Sequence, residues 1–561
     1  MKRDTVFLFA VLTLLVWGLF APDRGLFHDD AAQLSWAQAA AAHPLRGLFE
    51  PLGGPTRRLL GVPWLLAWAS GTPALVLQAL YGACWFATGW ILFALVRALF
   101  PARRGVAVVA GALALTATSD FLTNAPEATG YSISAFAFLA ALLAATRWLA
   151  GGPPRTLVFA AVLVNVGVFT TDGLAPAVAL TPLFFLAVRG RLDRRVAVAA
   201  AAWGLSLVPW AVTFLRFLND PTSYAAVALR PLGAAERARS TLAIVAHNFS
   251  PWRWVWSRPT WFDSPPSLVP PWLYAGAALA GTLLFVRAAF RADAASGDTW
   301  SADERGRAVR VGAVALLFLV TTNGAFAGVQ FSDVFYRTHL ISRVFASLAL
   351  ALATEELARR VPRAPRLTLL LPAVFVGLGV AGGVERQDFY LSTWHRNRNE
   401  LSSILEEAPG LAPGTSLVLM MVESSPALQA TRAPYLAQSW AGLLYGDVSL
   451  AWRTFLFLPE HGSACRTEDA GMRCWRSNAE RDAVSRGVSP GLLLPWERLV
   501  VLVYDPAAWR YRLVPATPDS RPLYDPAARI VDARPAPRTR ELLAGDRLLA
   551  RLLPERPLDR R

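Results

Sequence analysis

The chain has 561 residues, 54% of them hydrophobic and 17% charged, and carries a formal net charge of +15. The charged share is below the roughly 25% of soluble domains, the mean hydropathy is +0.37, and several apolar runs reach the roughly 20 residues that cross a bilayer. This is the composition of a polytopic helical membrane protein and excludes an ordinary soluble domain. The positive balance does not argue for nucleic acid. Lys2 is the single lysine, the arginines sit mainly in loops between apolar runs, where the positive-inside rule puts them, and no basic face carries stacking aromatics.

Met1-Lys2-Arg3 followed by the run Val6–Phe20 has the outline of a signal peptide. "WGLFAPDRG" offers no small-x-small cleavage site, so an uncleaved first span over about 5–21 is expected, starting in the cytoplasm. The first outer loop, 22–72, contains "LLGVPWLLAWAS" (Leu59–Ser70), too short to span and suited to an interfacial helix. Further spans are expected near 73–100, 104–119, 131–149, 156–171, 174–189 and 196–215. After a long outer loop, 216–269, the last four are expected near 270–287, 310–328, 339–357 and 367–384. The short loops 119–130 and 171–175 lack Arg and Lys but carry Asp120, Glu127 and Asp172. The alternate loops hold Arg103, Arg104, Arg155, Arg189, Arg191, Arg194 and Arg195, which sets the inner face.

The odd number of spans, about eleven, then leaves residues 385–561 outside. There, "TSLVLMMVES" and "RLVVLVYD" read as short buried strands, and "LSSILEEAPG" as a helix ending at Gly410. A small α/β domain is expected, following a transmembrane domain over 1–384. Cys84 lies in an apolar run and reads as a core residue. Cys465 and Cys474 flank "RTEDAGMR" and can pair in an oxidising compartment; their spacing fits no zinc motif.

The chemistry-bearing stretch is "RGLFHDDAAQLSWAQ", where His28, Asp29 and Asp30 follow the first span directly. The plain reading is a hydrated loop in which one acid caps the helix beginning "AAQLSWAQAAAA". Helix capping serves equally for Glu127 and for Asp172 in "TTDGLAP". For Arg337, His339 and Arg343 in "FYRTHLISRVFASLALALA", the plain reading is arginines snorkelling at a helix end. His247 in "AHNFSPW" suits a surface role. The Trp-dense "PWRWVWSRPTWF" suits interfacial anchoring, with a groove for lipid or sugar as the other reading.

The helical bundle with an outer C-terminal domain, the "HDD" pair in the first outer loop, "TNAPEATGYSISAFAFLAALLAA" and "FYRTHLISRVFASLALALA" together resemble the GT-C superfamily of integral-membrane glycosyltransferases. Its members include protein O-mannosyltransferases and bacterial lipid A aminoarabinose transferases. The order of the late Tyr336-Arg337 element departs from that of several branches. The resemblance implies a polyprenyl-phosphate sugar donor, a lipid, glycan or protein acceptor, and catalysis at the periplasmic face of the bacterial inner membrane. It implies Asp29 or Asp30 as general base, with Asp29 preferred, and His28, Glu127, Asp172, Arg337, His339 and Arg343 as substrate contacts.

Such a transfer passes through an oxocarbenium-like transition state. The acceptor hydroxyl needs a carboxylate to take its proton, and the leaving phosphate needs cations. No cofactor is indicated. Some branches of the family pair their acids with a divalent metal and others do not, and no full set of oxygen ligands stands out here. A transporter or flippase is the rival reading. It predicts internal repeats and ionisable groups at the midplane, whereas the acids here cluster at the outer lip. A scaffold presenting the outer domain would leave the acids replaceable. No Gly-rich nucleotide loop indicates ATP hydrolysis.

Overall fold

The computed structural model describes residues 2–27, 29–43, 52, 54–117, 125–220, 233–250, 267–293, 300–327, 339–360, 368–421, 430–431, 433–457, 465–475, 491–517 and 523–543. The chain is a helical bundle followed by a small domain of strands and helices. Among the described residues, seven helical segments are long and apolar enough to cross a membrane by length and composition. Helix α1 (Lys2–Thr13) continues through a π-turn, Leu14–Gly18. Two short helices of the loop after the first span follow, α2 (Asp30–Ala42) and α3 (Val62–Ser70). Next come α4 (Pro73–Leu99), the shorter α5 (Arg104–Thr116), α6 (Thr129–Leu149) and α7 (Pro154–Thr170). The expected sixth span is broken into a 3-10 turn (Asp172–Leu174), α8 (Ala175–Ala179) and α9 (Thr181–Arg189). The bundle continues with α10 (Arg194–Asn219), α11 (Ala234–Phe249), α12 (Pro271–Asp293), α13 (Ala302–Phe326) and α14 (His339–Arg360).

Local chemistry sets these limits. Proline opens α4 and α7 at positions where the missing N–H is harmless. A Ser301/Glu304 capping box starts α13. Gly71, at φ 75°, ends α3 in the left-handed region that a side chain disfavours. Arginines finish three helices by donating to their last carbonyls: Arg307 to Leu99 O at 2.9 Å, Arg310 to Ala187 O at 3.1 Å and Arg195 to Trp148 O at 2.6 Å. Apolar side chains point outward as well as inward. Phe159 on α7, Leu205 on α10 and Leu279 on α12 are all more than half exposed, a surface suited to lipid.

Helix α15 (Leu370–Glu407) is a single helix of 38 residues. Its first half packs into the bundle core through Val376, Val380 and Val384. Its second half joins a separate core built from helices α2 and α3 and from the C-terminal strands. The expected helix over "LSSILEEAPG" is therefore the last part of α15, ending at Glu407. Beyond it lie β1 (Ser416–Met421), α16 (Pro434–Tyr445), α17 (Val448–Ala451), β2 (Thr454–Phe457), β3 (Cys465–Glu468), β4 (Gly471–Cys474), β5 (Leu492–Pro495), β6 (Leu499–Asp505), β7 (Arg510–Leu513) and α18 (Pro537–Leu543). The strands form a four-stranded sheet of order β2-β1-β6-β7 and a three-stranded sheet of order β3-β4-β5. Strand β1 runs parallel to both neighbours and carries the almost wholly buried run Leu417–Leu419 expected of a central strand. Cys465 and Cys474 face each other across the β3–β4 hairpin and form a disulfide.

Polar side chains tie α15 to the rest at several points along its length. Gln387 accepts from the Phe20 amide and donates to Leu15 O, satisfying a carbonyl freed by the π-turn. The buried Asp388 carboxylate accepts from the amides of Leu268 and Val269 and from the hydroxyls of Ser267 and Tyr274. Further along, Glu400 is fully buried and accepts from the Ala430 and Thr431 amides and the Thr431 hydroxyl. Ser403 accepts from Tyr511 N at 2.7 Å, and Glu407 from Leu513 N at 3.1 Å.

Candidate functional site

The chain leaves the first span at Ala21–Asp23 and runs extended through Arg24. Gly25 lies flat on the indole of Trp394 from α15; a Cβ there would meet ring atoms at 2.0–2.4 Å, so only glycine fits. The Phe27 ring meets Tyr390 edge-on at 4.6 Å. The segment carrying the acid pair is thus seated on α15.

The two acids have different surroundings. Asp30 is fully buried as the first residue of α2, and its Oδ2 accepts from Phe27 N at 2.6 Å. That bond closes the turn into the helix and places a negative charge at the positive end of its dipole. Asp29 is the residue before the helix, half-buried, and makes no side-chain cap. Its Oδ1 accepts from the hydroxyl of Tyr435 at 2.8 Å, so the C-terminal domain touches this acid directly. Asp29 remains partly exposed; Asp30 does not.

Cationic groups lie against the same end of the first helix. Arg24 is 3% exposed, stacks on Trp17 at 4.5 Å and donates to Trp17 O at 2.6 Å. Burial lowers its guanidinium to about 9, which leaves it cationic at neutral pH. Arg343, 1% exposed on α14, stacks on Trp85 at 3.3 Å. The two stacks belong to one aromatic group: Trp17 lies 4.1 Å from Tyr81 and 6.2 Å from Trp85. Arg386, also buried, sits on α15 beside Gln387, which holds the end of the first helix. Guanidinium planes backed by indole faces are held in place.

The other residues singled out in the sequence fall as follows. Asp172 opens the 3-10 turn after α7 and takes both Nε and an Nη of Arg57, at 3.0 and 2.7 Å, which fastens the first outer loop to that turn. The cap of the turn is Thr171, whose hydroxyl accepts from Gly173 N, and not Asp172. Glu127 lies in the turn Pro126–Ala128, and His339 is the first residue of α14; the backbone alone is described at both. His28, Arg337 and the Trp-dense stretch 251–262 lie outside the described residues. His247 is buried near the end of α11 instead of exposed in a loop, because the segment is helical. Cys84 is half-buried in α4. Among the described residues, no three His, Cys, Asp or Glu side chains gather as metal ligands.

Arg24, Arg386 and Tyr435 were not singled out from the sequence. Arg24 carries a readable signal, a cation on the side of the membrane that the positive-inside rule leaves poor in Arg. Tyr435 carries none, since 406 residues separate it from Asp29.

No family model and no curated protein matches the chain. Among solved structures it is similar to ArnT from Cupriavidus metallidurans bound to undecaprenyl phosphate, at 14% identity over 89% of this chain and 93% of that one, with a TM-score of 0.36. It is likewise similar to ArnT from the same organism in the apo state, at 15% identity over 90% of this chain and 93% of that one, with a TM-score of 0.37.

Proposed function

We propose that the chain is a membrane glycosyltransferase. It moves a sugar from a polyprenyl-phosphate donor to an acceptor hydroxyl at the periplasmic face of the bacterial inner membrane. The observations that carry this reading are a half-buried carboxylate, Asp29, on the segment that leaves the first helix, and two buried, aromatic-backed arginines, Arg24 and Arg343, whose backing rings pack together near that helix's end. Asp29 is the general base. The bond between the anomeric carbon and the donor phosphate breaks as the acceptor oxygen bonds to that carbon. The acceptor proton passes to Asp29, and polyprenyl phosphate leaves with the bonding electron pair. Arg24 and Arg343 stabilise the charge gathering on that phosphate. Asp30 is a positioning residue that fixes the backbone of the acid pair. His28, Glu127, Asp172, Arg337 and His339 complete the set of substrate contacts in this reading. The disulfide Cys465–Cys474 supports an oxidising compartment for the outer domain.

The test uses the full chain in nanodiscs with a panel of polyprenyl-phosphate sugars and acceptors, following release of polyprenyl phosphate by mass spectrometry. Turnover in the wild type that falls by about 10²–10⁴-fold in Asp29→Asn, the usual size of a general-base effect, supports the reading. Unchanged turnover in that variant removes the role given to Asp29. Transport of a lipid-linked sugar across the bilayer with no transfer favours the flippase instead.

A further inference from the structure

A groove of about 230 Å³ runs between α2, which begins at the acid pair, and α16–α17 of the outer domain. On one side it is lined by Ser35 and Trp36, on the other by Tyr435, Gln438, Ser439 and Trp452. Tyr435, Gln438 and Ser439 follow the i, i+3, i+4 spacing that puts them on one face of α16. Ala39 and Ala40 on α2 are small enough to leave the channel open. The helices close on each other beyond it, where Gln38 donates to Gly442 O at 3.4 Å.

Three features decide what fits. First, none of the residues lining the groove is charged, so it does not select a phosphate, a carboxylate or an amine. Second, Tyr435 is 44% and Trp452 53% exposed, an unusual placement for large rings. Together with Trp36 they offer aromatic faces beside an amide and two hydroxyls. Aromatic faces pack against the C–H faces of sugar rings, while amides and hydroxyls bond the sugar's hydroxyls. Third, the groove is smaller than the roughly 300–1,000 Å³ of drug-sized sites, which suits a single sugar unit. Its Tyr435 end is bonded to Asp29 at 2.8 Å, so a group lying in the groove leads to the base.

We propose that this groove binds a neutral sugar residue of the acceptor, which makes the acceptor a glycan. The assignment rests on the transferase reading above and adds the acceptor class to it. Trp452 and Trp36 stack on the ring, and Gln438, Ser35 and Ser439 hold its hydroxyls. A hydroxyl of the next unit is delivered to Asp29.

The test is direct binding, independent of turnover. Saturation-transfer NMR is recorded on the full chain in nanodiscs with a panel of neutral oligosaccharides built from glucose, galactose, mannose, arabinose and xylose. At least one is expected to bind the wild type and Asp29→Asn equally. Binding is expected to weaken by about tenfold or more, a difference easily resolved, in Trp452→Ala and in Gln438→Ala, and to persist in Trp452→Tyr. Thermal unfolding confirms that each variant is folded. No binding by any oligosaccharide, or binding unaltered in both alanine variants, overturns the proposal. Saccharide binding that depends on Trp452, together with turnover that ignores Asp29→Asn, keeps the groove and removes the base. Turnover that needs Asp29 without saccharide binding does the reverse.

Discussion

Asp30 accepts from the Phe27 amide inside the protein, whereas Asp29 accepts from the Tyr435 hydroxyl and stays half-open. Neighbouring side chains on a helix start point in different directions, and here one direction is inward and the other faces the outer domain. Asp30→Asn keeps an acceptor for the Phe27 amide, so it is expected to reduce turnover far less than Asp29→Asn, measured side by side as initial rates. Arg24→Lys is expected to weaken polyprenyl-phosphate binding, because an ammonium cannot reproduce a planar, stacked, bidentate contact. A binding titration with labelled polyprenyl phosphate reads this. Gly25→Ala drives a methyl into the Trp394 ring. A destabilisation of about 1–3 kcal/mol, the usual size for overpacking, is expected as a lowered unfolding midpoint.

Among the elements, the long α15 was the least legible in the sequence. Its apolar half reads as a span, but Glu385, Arg386, Gln387 and Asp388 read as the exit into water. They are mostly buried because the first helix and the segment before α12 supply Gln387 and Asp388 with partners more than 100 residues away in the chain. Periodicity cannot show such partners. Where packing follows composition, the sequence served well: α4 and α14 begin at Pro73 and His339, where their apolar runs begin. Asp388→Ala is expected to lower stability by about 1–3 kcal/mol or more by orphaning the Leu268 and Val269 amides, visible as a reduced thermal midpoint with the outer loop newly open to protease. The β3–β4 hairpin adds a pH dependence. Arg473 and Arg466 donate to the Glu468 carboxyl and hold it below its ordinary 4.5. A depressed acid stabilises the fold above its unfolded value and loses that contribution as pH falls through the folded value. Hairpin stability is therefore expected to decline below about pH 4.5 and to become flat across that range in Glu468→Gln, read by hydrogen exchange of the hairpin amides.

At the scale of the whole molecule, the class of fold was readable, a helical membrane bundle with a small C-terminal α/β domain, and the joining of the two ends of the chain was not. The outer domain was legible as strands and a helix but not as the partner of α2 and α3, with which it shares a core. The disulfide gives this arrangement a simple check. In protein purified without reductant, a thiol reagent added after denaturation is expected to label Cys84 alone, and all three cysteines only after reduction.

Helix α15 also has a mechanical consequence. At about 1.5 Å per residue, its 38 residues reach close to twice the roughly 30 Å of a bilayer's hydrocarbon. It is bonded midway to the membrane exit that carries Asp29 and at its far end to the sheet of the outer domain. The end of the first helix and the C-terminal sheet are thus two marks on one rod, their spacing set by the rise of a single helix, so a tilt of the rod moves both together.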